Sequence, residues 1–157
     1  MDAPYKRILV PVTGTGGDER VLDLARQMVQ KQAASLTLVY VVEVMQSMPL
    51  DAELPTELDR GEAVLGAAEA VARRHFGQKT DHVHTELLQA RSAGAAIVDE
   101  AVERDADAIV MAACNRKICG RTTLGDTVDY VLRNAPCEVV VLRQGPPERT
   151  NGAARWA

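Results

Sequence analysis

Hydrophobic residues along this chain alternate between short continuous runs and stretches in which they recur every three or four positions. From Lys6 to Val12 the run Ile8-Leu9-Val10 precedes Pro11 and gives way to Thr13-Gly14-Thr15-Gly16-Gly17, a composition that turns rather than extends. The run predicts a buried first strand. Val21, Leu22, Ala25, Met28 and Val29 then recur at helical spacing, with Thr15 and Asp18 placed as in a capping box, so a helix of about 15 residues is expected. Leu36 to Val44 is almost continuously apolar and β-branched, as in a strand covered on both faces, and completes a βαβ unit.

The segment from Glu43 to Glu62 breaks this rhythm. It holds Pro49 and Pro55 and the acids Glu43, Asp51, Glu53, Glu57, Asp59 and Glu62 against the single base Arg60, and it reads as an exposed, solvated connection, with a lid or partner surface as the alternative. Val64, Ala68, Val71, Ala72 and His75 mark a second helix. Val83 to Leu88 has a polar residue at every other position, which suits a strand at a sheet edge. Ser92 is placed to cap a third helix carrying Ile97, Val98, Ala101 and Val102, and Ile109 to Ala113 reads as the fourth strand. Val128, Val131, Leu132 and Ala135 give a last helix that Pro136 stops, and Val139 to Leu142 a last strand. Right-handed crossovers between such elements imply an α/β fold, a single open, doubly wound, mostly parallel sheet with helices on both faces. We expect it over residues 1–143, and a disordered tail over 144–157, where Pro146, Pro147 and Gly152 accompany a loss of periodicity.

Composition narrows the function classes. The 157 residues suit one domain, and their 46% apolar content supplies a core without staples. Cys114, Cys119 and Cys137 are too few and odd in number for a disulfide framework. A net charge of −4 and five scattered aromatics offer nothing to a nucleic acid, which needs a basic field or stacking platforms. No apolar run is long enough to enter a membrane, and the charged, Pro4-containing start is no secretory leader, so a cytoplasmic location is expected.

Ligands of open α/β sheets bind beyond the carboxyl ends of the strands, where the strand order reverses. Two loops qualify. Thr13 to Gly17 follows strand one and leads into a helix, so its amides are candidates for an anion. Ala112 to Leu124 follows strand four and carries Arg116, Lys117 and Arg121 without an acid. Sharper motifs fail. Glu19 stands where the third glycine of a dinucleotide fingerprint belongs, and Asp126 replaces the lysine in the P-loop-like spacing that begins at Gly120. His82 and His84 project from one face of an edge strand and read as solvated, and Cys114 and Cys119 lack further metal ligands nearby. No triad, nucleophile elbow or paired carboxylate appears, and no enzyme activity, catalytic residue or metal is expected.

Lys6 to Val12, and above all Gly125 to Val141 with its run Asp129-Tyr130-Val131-Leu132-Arg133-Asn134-Ala135-Pro136-Cys137-Glu138, resemble the universal stress protein family, including modules found beside membrane transporters. The resemblance covers Lys6 to Arg143. It implies a five-stranded parallel sheet of the adenine nucleotide alpha hydrolase-like kind, a homodimer joined through the last strand, Glu138 to Arg143, and ATP or AMP binding in one subfamily. That subfamily's motif falls on Thr13 for an Asp, Ala112, Asn115 and Gly125 for three glycines, and Asp126 for a hydroxyl residue. Only Gly125 matches. Val41 and Met111 lie where the family meets adenine, and Pro11, Arg116 and Thr127 complete the candidate set. Thr13 still hydrogen-bonds and Asn115 tolerates a left-handed backbone. Ala112 is worse wherever positive φ or close phosphate approach is needed. Asp126 is worst, since a carboxylate at a helix N-terminus caps the amides a phosphate would use and repels it. The expectation is therefore a non-catalytic, dimeric stress-response module with weak or absent ATP binding and a protein partner such as a transporter. The alternative is a sensor of AMP, a cyclic nucleotide or ATP in the cleft between the two loops.

Overall fold

The computed structural model describes residues 5–29, 34–76, 82–113, 116–118 and 121–144, with backbone alone at 76, 116–118 and 121–123. The elements run β1 (Arg7–Pro11), α1 (Gly17–Met28), β2 (Ser35–Glu43), α2 (Pro55–Phe76), β3 (Val83–Ala90), α3 (Ala93–Glu103), β4 (Ala108–Ala113), β5 (Arg116–Ile118), β6 (Arg121–Thr123), α4 (Asp126–Asn134) and β7 (Glu138–Arg143). Five strands form one sheet in the order β3-β2-β1-β4-β7, and every neighbouring pair is parallel.

Successive side chains of a strand point to opposite faces, and here both faces are covered. Ile8, Val10 and Val12 meet Val21, Leu22 and Ala25 of α1 and Leu65, Ala68 and Ala72 of α2. Leu9, Val39, Ile109 and Met111 face the other way, against Ile97, Val98 and Ala101 of α3 and Val128 and Val131 of α4. The sheet is doubly wound, as the alternation of elements implied. Leu9, Leu22, Leu38 and Ile109 are no more than 1% exposed, and each such side chain contributes about 1.5–3 kcal/mol by leaving water. The alternating strand β3 lies at one edge, as its pattern predicted, and β7 lies at the other with Val139 to Leu142 half-buried.

Three local readings change. The acidic segment is not connection throughout: α2 begins at Pro55 rather than near Val64. Proline suits the first helical position, and the early turns approach the sheet through Gly61, where a Cβ would come within 2.6 Å of Leu87 and 2.8 Å of Tyr40. A glycine leaves no trace in a hydrophobic pattern, so the buried face of these turns was invisible. What precedes them is tied down, since Gln89 donates to the carbonyls of Leu50 and Ala52 and Arg91 donates to that of Met45. Second, the basic loop holds an antiparallel pair, with Arg116, Lys117 and Ile118 opposite Thr123, Thr122 and Arg121. Ile118, Thr122 and Thr123 are β-branched, a residue type enriched in strands. Third, α1 is preceded by Gly16 and has no side-chain cap, whereas Ser92 accepts from the Ala95 amide as expected.

No helix among the described residues is long and apolar enough to cross a membrane. Gln144 continues the fold, its amide donating to the Ala113 carbonyl, and the remainder of the proposed tail lies outside the described residues.

Candidate functional site

The strand order reverses between β1 and β4. Their register is limited to Ile8 with Ala108 and Leu9 with Ile109, whereas β1 keeps company with β2 up to Pro11 and β4 with β7 up to Ala113. Beyond Leu9 the two central strands part, and the Val12 amide donates to Val39 on β2 instead. The opening is a cleft of about 280 Å³ at the carboxyl ends of the strands. Its walls are largely apolar: Val39 and Val41 from β2, Met111 from β4, Ile97 from α3, and Leu124 and Val128 around the start of α4. Its polar groups are Thr13, Thr15 and Asp18 on one side, Thr127 on another, and Gln144 at the end of β7.

Of the residues expected from the sequence, Pro11, Thr13, Val41, Met111, Ala112, Gly125 and Thr127 are brought together here. Asn115 lies outside the described residues, and Arg116 is placed by its backbone in β5. Asp126 is a correction. It opens α4 as an exposed residue and is not among those lining the cleft, because the helix enters from Gly125 and presents Thr127 and Val128 inward instead. Gly125 itself holds φ at +96°, a value that suits glycine alone among common residues. Ala112 adopts an ordinary strand backbone paired with Leu142, so the concern over positive φ disappears. Its methyl lies toward Gly17 of α1, where an added Cβ would meet it at 3.0 Å.

The first loop also differs from expectation. Its amides were candidates for an external anion, yet the Asp18 carboxylate holds them. Thr13 donates its amide to Oδ1 and Oδ2 at 3.1 and 3.2 Å, Gly14 donates to Oδ2 at 2.7 Å, and the Thr13 hydroxyl lies 3.4 Å from Oδ1. The Thr13 and Thr15 hydroxyls are 2.9 Å apart. The loop can curl this way because Gly14 has φ +82° and lies so close to Val64 that a Cβ would sit 2.7 Å from its Cγ2. Sequence reading gave Asp18 a capping role and missed its place in the cleft. The available signal was an acid in the first turn of a helix that follows a glycine-rich loop. Among the described lining residues Asp18 is the one titratable side chain, and it is engaged by three donors of the chain itself. The arrangement is one for holding a partly apolar molecule and recognising its hydroxyls. Elsewhere, no described group of three or more His, Cys, Asp or Glu side chains is placed to hold a metal ion.

Comparison with known proteins agrees with this architecture. The universal stress protein family model matches residues 4–143. The chain is 29% identical over 150 residues to universal stress protein MJ0531 of Methanocaldococcus jannaschii, covering 92% of this chain and 85% of that protein. Among solved structures it is similar to a universal stress protein from Archaeoglobus fulgidus, at 22% identity and TM-score 0.69, covering 87% of this chain and 98% of that one. A universal stress protein in complex with cAMP matches at 20% identity and TM-score 0.62, over 90% of this chain and 98% of that one.

Proposed function

Because the chain belongs to the universal stress protein family, we propose that it is a non-catalytic regulatory module of the stress response whose cleft takes an adenine nucleotide, AMP or a cyclic nucleotide in preference to ATP. The observation that carries this reading is the cleft itself, open where β1 and β4 part, with apolar walls and hydroxyl groups converging from separate elements. At about 280 Å³ it lies just below the range of about 300–1,000 Å³ for small-molecule sites. Val39, Val41 and Met111 suit the face of a purine, and Thr13, Thr15 and Thr127 suit a sugar. A protein of the same fold has been seen with cAMP. Catalysis finds no support among the described lining residues, whose one titratable side chain, Asp18, is committed to the Thr13–Gly14 loop.

The proposal extends to assembly. β7 ends the sheet with four consecutive apolar residues, Val139 to Leu142, each half-buried, and an unpaired apolar edge is a template for a second copy of the chain. The regulated partner would be another protein, with a transporter as the candidate the resemblance suggests.

Titration calorimetry with AMP, cAMP and ATP tests the ligand. AMP or cAMP binding at least tenfold more tightly than ATP is the expected result. No heat and no thermal shift with either at millimolar concentration would overturn the reading.

A further inference from the structure

Two consecutive amides that converge on one carboxylate form the same kind of pocket that holds a phosphate oxygen. In this chain that pocket lies at the rim of the cleft, and Asp18 fills it: Gly14 donates at 2.7 Å and Thr13 at 3.1 and 3.2 Å. The side chain is half-buried and also lines the cleft, so whatever enters meets a fixed negative charge where the loop amides point. No described lining residue carries a positive charge to balance it.

We propose that Asp18 is a specificity-determining residue, a built-in anion that makes the cleft discriminate against ligands according to the negative charge they bring toward Thr13 and Gly14. The proposal rests on the cleft being a nucleotide site, and it assigns to one residue the preference for low charge. Mono-anionic or neutral groups that donate hydrogen bonds are compatible with Asp18, since a carboxylate has about four acceptor positions. A polyphosphate whose oxygens reach these amides is not compatible, because it competes for them and opposes the same charge. A unit charge about 4 Å from a bound phosphate alters affinity by up to about three decades at an effective dielectric near 20, and by less where salt screens it.

The test compares the full chain with Asp18→Asn, which keeps the shape and removes the charge, Asp18→Ala, which frees the amides, and Asp18→Glu, which keeps the charge. Each is titrated with AMP, ATP and inorganic tripolyphosphate at low and high salt. We expect Asn and Ala to raise affinity for ATP and tripolyphosphate by about tenfold or more, to change affinity for AMP by less than about threefold, and to lose most of the gain at high salt. Glu should behave as the wild type. Should Ala disturb the loop, the Asn–Glu pair still separates charge from structure. Unchanged tripolyphosphate affinity in the Asn variant overturns the role of Asp18. If tripolyphosphate responds but AMP binds none of the proteins, Asp18 stands as a charge filter and the adenine reading falls.

Discussion

Replacing Gly14 by alanine tests the loop on which the cleft depends. Two costs are expected, and they can be separated. A residue with a side chain must hold φ at +82°, which costs about 1–2 kcal/mol in the left-handed region. Its Cβ must also lie 2.7 Å from Val64 Cγ2, an overlap that forces α2 or the loop to move and costs about 1–3 kcal/mol. Together these give a loss of about 3 kcal/mol. In a Val64→Ala background the overlap is relieved and only the backbone cost remains, so Gly14→Ala should then cost about 1–2 kcal/mol. The coupling between the two sites is the difference, about 1–3 kcal/mol in the compensating direction. Urea denaturation of the four proteins of the cycle, followed by circular dichroism, measures it, provided the m-values agree. The same penalty in both backgrounds would refute the overlap as its cause. A penalty below about 0.5 kcal/mol in the wild-type background would refute the positive φ, and with it the geometry that brings two amides onto Asp18.

Further measurements address other parts of the chain. Asp126→Asn should leave affinities for AMP and ATP within about threefold of wild type, because that carboxylate is exposed and outside the cleft, where salt screens it; calorimetry at physiological ionic strength checks this. Light scattering at tens of micromolar should give twice the chain mass, and Val141→Lys, which sets a charge in the half-buried run of the edge strand, should shift it toward the monomer; a monomeric wild type would sink the assembly proposal. Burial, and then the Asp107 carboxylate, push the Cys137 thiol above its usual 9.0, so peptide-resolved mass spectrometry should find it alkylated more slowly than a free cysteine at pH 8. The folded chain holds this proton more tightly than the unfolded one, so the contribution to stability is complete below pH 9 and is lost as pH rises through the folded value.

Much of the fold was legible because burial leaves a periodic mark. Ile8, Leu9 and Val10 sit between two layers of helices and are apolar in succession, whereas β3, at the sheet edge, mixes His84, Thr85 and Glu86 with Val83, Leu87 and Leu88. Helices α3 and α4 bury the residues that recur at helical spacing, Ile97, Val98 and Ala101 in one and Val128 and Val131 in the other. The first turns of α2 break the rule for a physical reason. Their contact with Tyr40 and Leu87 is made by the absence of a side chain at Gly61, and its neighbours Asp59, Arg60 and Glu62 face water. Hydrophobic periodicity reports what is buried as side chain, and it is silent where backbone does the packing.

The cleft was legible in position, but its electrostatics were not, and the reason lies in how charge is placed by a chain. Strand ends can be located from a run and the turn that stops it, so Pro11, Thr13, Val41 and Met111 fell where the cleft opens. A carboxylate can be located only once the backbone between it and its partners is known. Reading along the sequence placed the internal anion at Asp126, on the argument that an acid at the start of a helix turns back to cap the amides. Gly125 instead enters α4 with φ +96° and the Asp126 side chain stays in water. The same argument applies at the other helix: Asp18, in the first turn of α1, does turn back, because Gly14 at φ +82° bends the preceding loop until the amides of residues 13 and 14 point at it. The chemistry anticipated for one helix start is therefore realised at another, and the difference is made by the glycines that precede them. Since α1 and α4 approach the cleft from opposite faces of the sheet, this moves the negative charge from the β4 side of the opening to the β1 side. On the proposed reading, a ligand that carries its charge toward Thr127 rather than toward Thr13 and Gly14 lies farther from this carboxylate and is repelled less.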